Sequence, residues 1–408
     1  MNERLENLPE RPVFNPLSPE FIRDPYPFYH WLRQTEPIHR TPLGFFVATK
    51  AADVGFVLSD RRFGKAYAER MVKYFGPERL EEPSYAAMAK WMLMQDPPDH
   101  TRLRGLVVKA FTARRVEEMR PRIEDIVNRL LDRLEPQGHM DLIADFAYRI
   151  PVTVICDMLG ISQEDHDTFL ANARIGGRLL EPVPPTRDEI DEANAHFAML
   201  ADYFRRLFDL RRREPGDDLT SELVHAEEEG HKLSEEELTA NIMLLFGAGH
   251  ETTVNLIGNG LLALFRHPDQ LRLLRENPAL IGSAIEEFLR YDSSVQIVGR
   301  TAFEDIKVGS VDLAKGQSIF CLLGAANRDP EAFADPDRLD ITRRQGRPFS
   351  FGGGIHHCLG AQLARIEGEI AIATLLRRLP NLRLDDPHNP QWRPTFALRG
   401  LKSLPASW

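Results

Sequence analysis

The most informative stretch of this 408-residue chain is FSFGGGIHHCLG, residues 349–360. It presents Cys358 just before a helix-forming run that begins at Ala361. A thiolate at the start of a helix is stabilised by the helix dipole and by the free N–H groups of the first turn. We therefore expect the pKa of Cys358 to be lowered. The glycines allow backbone angles that bulkier residues forbid, which lets a flat ligand lie against the main chain.

Thiolate ligation is one of the few ways in which proteins hold haem iron. The spacing Phe-x-x-Gly-x-His-x-Cys-x-Gly, from Phe351 to Gly360, resembles the haem-ligand loop of the cytochrome P450 family, in particular of its bacterial soluble members. The resemblance implies haem b as cofactor and a monooxygenase that activates O2 and hydroxylates its substrate. It makes Cys358 the iron ligand and places Phe351, His356 and Gly360 in the loop that holds the haem.

Composition limits the other possibilities. The net charge of −10, from 51 Lys and Arg against 61 Asp and Glu, argues against nucleic acid as a main partner. Three cysteines give no disulfide framework and are typical of a reducing cytoplasm. Residues 1–9 contain no apolar signal segment, and no stretch predicts a membrane span. We expect a cytoplasmic monomer with one domain, residues 1–408, because no linker-like segment divides the chain.

Helical periodicity dominates residues 99–291 and predicts a mainly α fold with a small β region. The strand-like pieces lie near residues 44–48, 296–298, 318–322 and 394–405. Residues 63–96 have weak periodicity, which predicts a mobile loop over a pocket, and the prolines and acids of residues 324–350 predict an irregular meander.

The longest predicted helix spans residues 234–266. Ser234 and Glu237 match a capping box, and the pair His267-Pro268 stops the pattern. At 1.5 Å per residue the helix would be ~48 Å long, enough to cross the molecule. The resemblance to the P450 family places this helix over the haem and the cysteine loop beneath the haem.

The middle of this helix reads GAGHETT, residues 247–253. Each glycine in a helix interior costs roughly 1 kcal/mol relative to alanine, so the stretch indicates a function or a local widening. The pair Glu251 and Thr252 resembles the acid–alcohol pair with which the family activates oxygen and delivers protons. By the same resemblance, Ala248 and Gly249 leave room over the iron.

A second family signature has a structural role. Glu287 and Arg290 stand at i and i+3 on one helix face, and they resemble the family's Glu-x-x-Arg pair. The resemblance adds an arginine from the meander, for which Arg338 is the match. The three side chains are expected to form a buried ionic lock behind the haem loop, where the loss of one partner would strand a charge.

The two haem propionates need cationic partners. His100 and Arg104 are four residues apart at the start of a predicted helix, so both can face one way. The resemblance makes them propionate ligands together with Arg300 and His356.

The substrate pocket is expected to be mostly apolar. Its predicted residues are Leu244, Leu245, Val295, Ile297, Val298 and Phe396. The substrate is then a small apolar organic molecule, whose identity stays open. No flavin or nicotinamide fingerprint is present, so electrons should come from outside the chain, and the resemblance to bacterial P450s implies a ferredoxin and its reductase as their source. Basic residues near the cysteine side, Arg102, Lys109, Arg114, Arg115, Arg343, Arg344 and Arg347, predict a docking face for the ferredoxin.

Two alternatives to an O2-dependent monooxygenase remain. One is a peroxygenase driven by hydrogen peroxide, which would not need the acid–alcohol pair because peroxide already carries the electrons and protons. The other is a haem sensor or carrier without enzymatic activity, which would need neither an electron partner nor a proton relay.

Overall fold

The computed structural model describes residues 14–42, 44–172, 177–181, 184–228 and 231–408, so residues 1–9 lie outside the described part. Its α-helices are α1 (Pro19–Arg23), α2 (Tyr26–Thr35), α3 (Ala51–Ser59), α4 (Tyr67–Phe75), α5 (Pro83–Met88), α6 (Asp99–Ala110), α7 (Ala113–Glu118), α8 (Arg120–Leu134), α9 (Arg149–Leu159), α10 (His166–Asn172), α11 (Arg187–Arg213), α12 (Leu219–His225), α13 (Glu235–Arg266), α14 (Pro268–Glu276), α15 (Ile281–Tyr291), α16 (Leu323–Ala326) and α17 (Ala361–Arg378).

The strands are short and form small sheets. They are β1 (Ile38–Arg40), β2 (Phe46–Ala48), β3 (Phe63–Gly64), β4 (His139–Asp141), β5 (Glu227–Glu228), β6 (His231–Lys232), β7 (Ile297–Ala302), β8 (Ile306–Val308), β9 (Val311–Leu313), β10 (Ser318–Leu322), β11 (Arg383–Leu384), β12 (Gln391–Trp392), β13 (Leu401–Ser403) and β14 (Pro405–Ser407). The largest sheet has the order β1-β2-β10-β7-β3, with β10 parallel to β2 and antiparallel to β7. The predicted mainly α fold with a small β region is confirmed.

The long helix α13 begins and ends where the sequence predicts. The Ser234 hydroxyl accepts a hydrogen bond from the Glu237 N–H at 3.1 Å, and the Glu237 carboxylate accepts one from the Ser234 N–H at 2.9 Å. At the other end, Pro268 starts α14. The 32-residue helix packs against α9, α11, α15 and α17, so most of its side chains are buried. It remains continuous α-helix through the GAGHETT stretch.

The prediction of a loop over residues 63–96 is wrong. The segment contains α4, α5 and two short 3₁₀ turns, Pro77–Glu81 and Met92–Met94. Helices of six to nine residues bury only two or three side chains each, such as Tyr67 and Met71 of α4. A periodicity so short is hard to detect in the sequence.

After α16, the chain is irregular up to the cysteine loop, as the predicted meander requires. In the described part of the chain, no helix combines the length and the apolar character needed to cross a membrane.

Candidate functional site

The cysteine loop is held in a conformation that depends on glycine. Gly352 and Gly354 have φ angles of +68° and +63°, in the left-handed region that favours glycine. A Cβ on Gly354 would also clash with the carbonyl of Leu58. The Phe351 carbonyl accepts a hydrogen bond from the Cys358 N–H at 2.9 Å and closes the loop. Cys358 lies two residues before Gly360, the N-cap of α17, so the loop presents the cysteine at the start of this helix.

The electrostatics of Cys358 differ from the prediction. Burial raises the pKa of the Cys358 thiol, whereas the Gly360 N–H and the Arg104 guanidinium only partly counteract it. Cys358 is exposed to an internal cavity, but desolvation by the nearby protein atoms still outweighs the stabilisation expected at the helix start. The lowered pKa that the sequence predicts for Cys358 is therefore not found.

The ionic lock behind the loop exists, with one member different from the prediction. The Glu287 carboxylate accepts hydrogen bonds from Arg290 at 2.7 and 2.8 Å and from Arg343 Nε at 3.1 Å. The predicted third member, Arg338, has an exposed side chain and contributes only its carbonyl, which accepts from Arg290 at 3.1 Å. A turn in which the Arg343 N–H donates to the Asp340 carbonyl brings Arg343 inward instead.

The lock is connected to the cysteine loop by hydrogen bonds. The Ser350 hydroxyl donates to the Leu289 carbonyl of α15 at 2.6 Å and accepts from the Asn327 amide at 2.9 Å. The Asn327 side chain also accepts from the Phe349 N–H at 2.7 Å, and its own carbonyl accepts from Arg290 at 3.0 Å. The start of the loop is therefore fixed to the same helix and arginine as the lock.

Another part of the cavity wall is formed by the glycine-containing stretch of α13. Ala248, Gly249, Glu251 and Thr252 all line the cavity. The Thr252 hydroxyl donates to the Ala248 carbonyl at 3.2 Å. A Cβ on Gly249 would lie 3.3 Å from the Ile155 side chain of α9, whereas one on the preceding Gly247 would meet open space. Gly247 therefore leaves volume in the cavity, whereas Gly249 allows α13 and α9 to approach each other.

The four predicted propionate ligands also line this cavity. The rings of His100 and His356 meet edge to face at 4.3 Å between centroids. Arg104 donates to the His357 carbonyl at 2.7 Å, and Arg300 donates to the Gly299 carbonyl at 3.0 Å. The predicted residues are therefore brought together at one end of the cavity.

Asp96 is the carboxylate that interacts with this cationic cluster, and it already accepts two backbone hydrogen bonds. Burial lowers the pKa of His100 and of Arg300, and burial together with Lys65 lowers the pKa of His356 to about 2. Lys65 is itself only 6% exposed, and burial holds its pKa well below the ordinary value. An anion at this place would reverse these effects, because it would stabilise the charged forms. Lys65 is not among the predicted residues of this cluster, because no motif in the sequence marks it.

The apolar wall of the cavity matches the prediction except at one residue. Leu244, Leu245, Val295, Ile297 and Val298 line the cavity, which has a volume of ≈ 410 Å³.

The exception is Phe396, which points into a separate aromatic cluster, with its ring 5.7 Å from Phe14 and 5.3 Å from Phe21. Its neighbours Ala397 and Leu398 line the cavity instead. Phe396 and Ala397 lie in a bend, so the direction of each side chain depends on the local turn and does not follow the alternation of a strand.

The residues present fit a thiolate-bound haem. One face carries a cysteine sulfur, the opposite face has a glycine with open space beside it, and one end holds buried cations that need an anion. The model of the cytochrome P450 family matches residues 61–402, and the chain belongs to this family. Its members bind haem and are monooxygenases, so the protein is a haem-dependent oxidoreductase of that class.

Individual relatives are similar over almost the whole chain. Cytochrome P450 133B2 of Xylella fastidiosa is 42% identical, with 95% of this chain and 97% of the relative covered. The vitamin D(3) 25-hydroxylase of Pseudonocardia autotrophica is also 42% identical, with 96% and 95% covered. The solved structure of P450BioI, in complex with an acyl carrier protein ligated to hexadec-9Z-enoic acid, has a TM-score of 0.88 at 40% identity and covers 95% of this chain and 99% of its own.

Proposed function

We propose that this monooxygenase hydroxylates a small apolar organic molecule with O2 and receives its electrons from a ferredoxin and ferredoxin reductase. The observation that carries the proposal is one cavity that is lined by Cys358, by Thr252 and by aliphatic side chains. A hydroxylase of vitamin D(3) and a structure with a ligated fatty acyl chain among the relatives support an apolar substrate.

Each residue of the cationic end and of the cysteine loop has a role in this proposal. Cys358 would ligate the iron, and His100, Arg104, Arg300 and His356 would hold the propionates. Haem held by a thiolate supplies the oxygen chemistry, in which one oxygen atom enters a C–H bond and the other leaves as water. Glu287, Arg290 and Arg343 keep the loop in place, because the loss of either arginine would leave Glu287 short of positive charge.

The distal residues manage protons and space. Thr252 carries a hydroxyl that can exchange its bond to the Ala248 carbonyl for a bond to a ligand in the cavity. Glu251, whose carboxylate lies beside Gly177, is the acid that replenishes the proton. Gly247 and Ala248 leave the most space along this wall, so a substrate can approach closely, whereas Gly249 faces Ile155 of α9.

The electron donor would dock beside the cysteine loop. Arg344 and Arg347 are exposed immediately before this loop and can attract an acidic protein. Other members of the predicted basic face are engaged within the chain: Arg102 pairs with Glu237, Arg114 with Glu118, Arg115 with Glu222 and Arg343 with Glu287. The docking face is therefore smaller than the sequence predicts. Within the same proposal, the chain acts as a cytoplasmic, single-domain monomer.

The experiment that tests this function uses the purified, haem-loaded enzyme. The ferrous–CO complex should show the red-shifted Soret band of thiolate ligation, and apolar compounds should shift the ferric Soret band to the blue by displacing water. A compound that shifts the band should then be hydroxylated with O2, NADPH, ferredoxin and reductase. Turnover that is as fast with hydrogen peroxide alone would refute the proposed electron supply, and an unshifted CO band would refute the ligand.

A further inference from the structure

Arg70, a residue of α4, stands out among the cations of the cavity. Its side chain lines the cavity wall, and its guanidinium lies so close to β7 that a Cβ on Gly299 would be 3.2 Å from Nη1. The guanidinium makes no hydrogen bond or ion pair with the part of the chain that the structure describes. Its Cζ lies 5.9 Å from the centroid of the Tyr67 ring. A partly buried arginine without an anionic partner is costly unless a ligand supplies one.

No carboxylate is free to pair with Arg70 among the described residues. Asp96 is the carboxylate that interacts with it, but the two Asp96 oxygens already accept hydrogen bonds from the N–H groups of Lys65 and Ala66, both at 2.8 Å. Lys65 and Arg300 add further positive charge next to Arg70. Three cationic side chains therefore share a single carboxylate.

In the proposed function the two haem propionates would be held by His100, Arg104, Arg300 and His356. Arg70 stands outside that set and is more accessible than Lys65. Its guanidinium lies next to Gly299, which follows the cavity-lining Val298 in β7. An anionic group next to Arg70 would thus belong to a molecule whose apolar body lies along this wall.

We propose that Arg70 binds the carboxylate of the substrate, which is an apolar acid. The planar guanidinium can donate two parallel hydrogen bonds to a carboxylate, and such charged pairs are stronger in a cavity than in water. The acid end would be anchored at Arg70, and the hydrocarbon would extend past Leu244, Leu245 and Val295 towards Ala248. This inference rests on the proposed function and narrows its substrate class.

The test compares dodecanoic acid, its methyl ester and 1-dodecanol as ligands of the haem-loaded enzyme, with the Soret shift giving Kd. In the wild type we expect the acid to bind roughly 10- to 100-fold more tightly than the ester, since hydrogen bonds to charged groups contribute ~1.5–3 kcal/mol. Arg70→Gln should abolish this preference and leave the Kd of the ester and the haem content unchanged. Arg70→Lys, which keeps the charge without the fork, should retain part of the preference.

Arg61→Gln is the matched control, because Arg61 is an exposed arginine nine residues before Arg70 and does not line the cavity. It should bind all three ligands like the wild type. Equal binding of acid and ester by the wild type would overturn the role of Arg70 and leave the proposed function standing. Loss of haem from Arg70→Gln would overturn it too, because Arg70 would then serve a propionate. Absence of any shift with all three ligands would refute both proposals.

Discussion

The two faces of the cavity differ in how their polar groups are satisfied. On the cysteine side, Glu287 and Arg290 are each 1% exposed in their side chains, and both are bonded to each other and to the meander. The rest of the wall is formed by aliphatic residues and by Arg70 of α4, whose guanidinium, beside the cationic end, has no hydrogen-bond or ion-pair partner among the described residues. The difference teaches that the first face is completed by the chain itself, whereas the second is completed only by a ligand. Mutations on the first face should therefore affect haem retention, and those on the second should affect coupling and substrate choice.

The largest effect is expected from Cys358→Ser. A serine hydroxyl cannot replace the thiolate that we propose as iron ligand, so turnover should fall below detection and the ferrous–CO band should lose its red shift. Cys156→Ala is the control, because Cys156 is fully buried in α9 and does not line the cavity. This variant should keep the band. A red-shifted band in Cys358→Ser would show that another residue ligates the iron.

The second prediction breaks the pairing on the cysteine face. Arg343→Leu leaves Glu287 with one of its two arginines, and we expect a loss of up to about 3–5 kcal/mol in the free energy of unfolding. The haem content of the purified protein should fall with it. Chemical denaturation and the ratio of haem to protein measure the two effects.

Arg338→Leu is the matched control, since its side chain is exposed and its carbonyl is unchanged by the substitution. It should alter the free energy of unfolding by no more than about 0.5 kcal/mol. Equal losses from Arg338→Leu and Arg343→Leu would contradict the structural assignment of the lock.

This pair of arginines also shows what the sequence can predict. The Glu-x-x-Arg pair follows from the resemblance to the P450 family, and the spacing of i and i+3 on one helix fixes how its two members lie. The third member lies in an irregular meander, where only the turn from Asp340 to Arg343 decides which side chain points inward. Between residues 324 and 350 the sequence contains five arginines, Arg328, Arg338, Arg343, Arg344 and Arg347, and no periodicity that separates them.

Other parts of the chain show the same difference between features set by local sequence signals and features set by tertiary packing. The bounds of α13 follow from local signals, a capping box and a proline, and they were predicted correctly. The side-chain direction at Phe396 depends on a bend that a distant residue holds in place, because Glu181 accepts hydrogen bonds from the N–H groups of Phe396 and Ala397. The pKa of Cys358 depends on how many atoms surround the sulfur. Such tertiary effects leave no trace in a spacing pattern.

The third prediction concerns the opposite face. In Thr252→Ala the proposed proton donor is lost, and product formation should fall by up to about 100-fold while NADPH consumption continues. Product per NADPH, with hydrogen peroxide measured in parallel, gives the coupling. Thr239→Ala is the control: Thr239 lies on the same helix and donates the same type of bond to the Glu235 carbonyl at 2.7 Å. It should couple normally, and normal coupling in Thr252→Ala would remove the proposed role.

The smallest effect is expected from a second buried glutamate, Glu367, through the pH dependence of stability. Glu367 of α17 is 1% exposed and is thus as buried as Glu287, but its Oε2 has no hydrogen-bond partner in the described residues. Burial therefore raises the pKa of Glu367 well above the ordinary value. Above the ordinary pKa of glutamate, the folded state binds the proton more tightly than the unfolded state, so stability falls as pH rises.

The slope from this one group is at most about 1.4 kcal/mol per pH unit. Glu367→Gln removes the titrating group without changing its shape, so the decline of the melting temperature of the haem-loaded protein between pH 5 and 8 should become shallower. Glu369→Gln, a partly exposed neighbour near Arg120, should keep the wild-type slope. If the slope of Glu367→Gln also equals that of the wild type, Glu367 does not remain protonated in the folded protein. The cysteine side would then have to supply this carboxylate with a partner, as it does for Glu287.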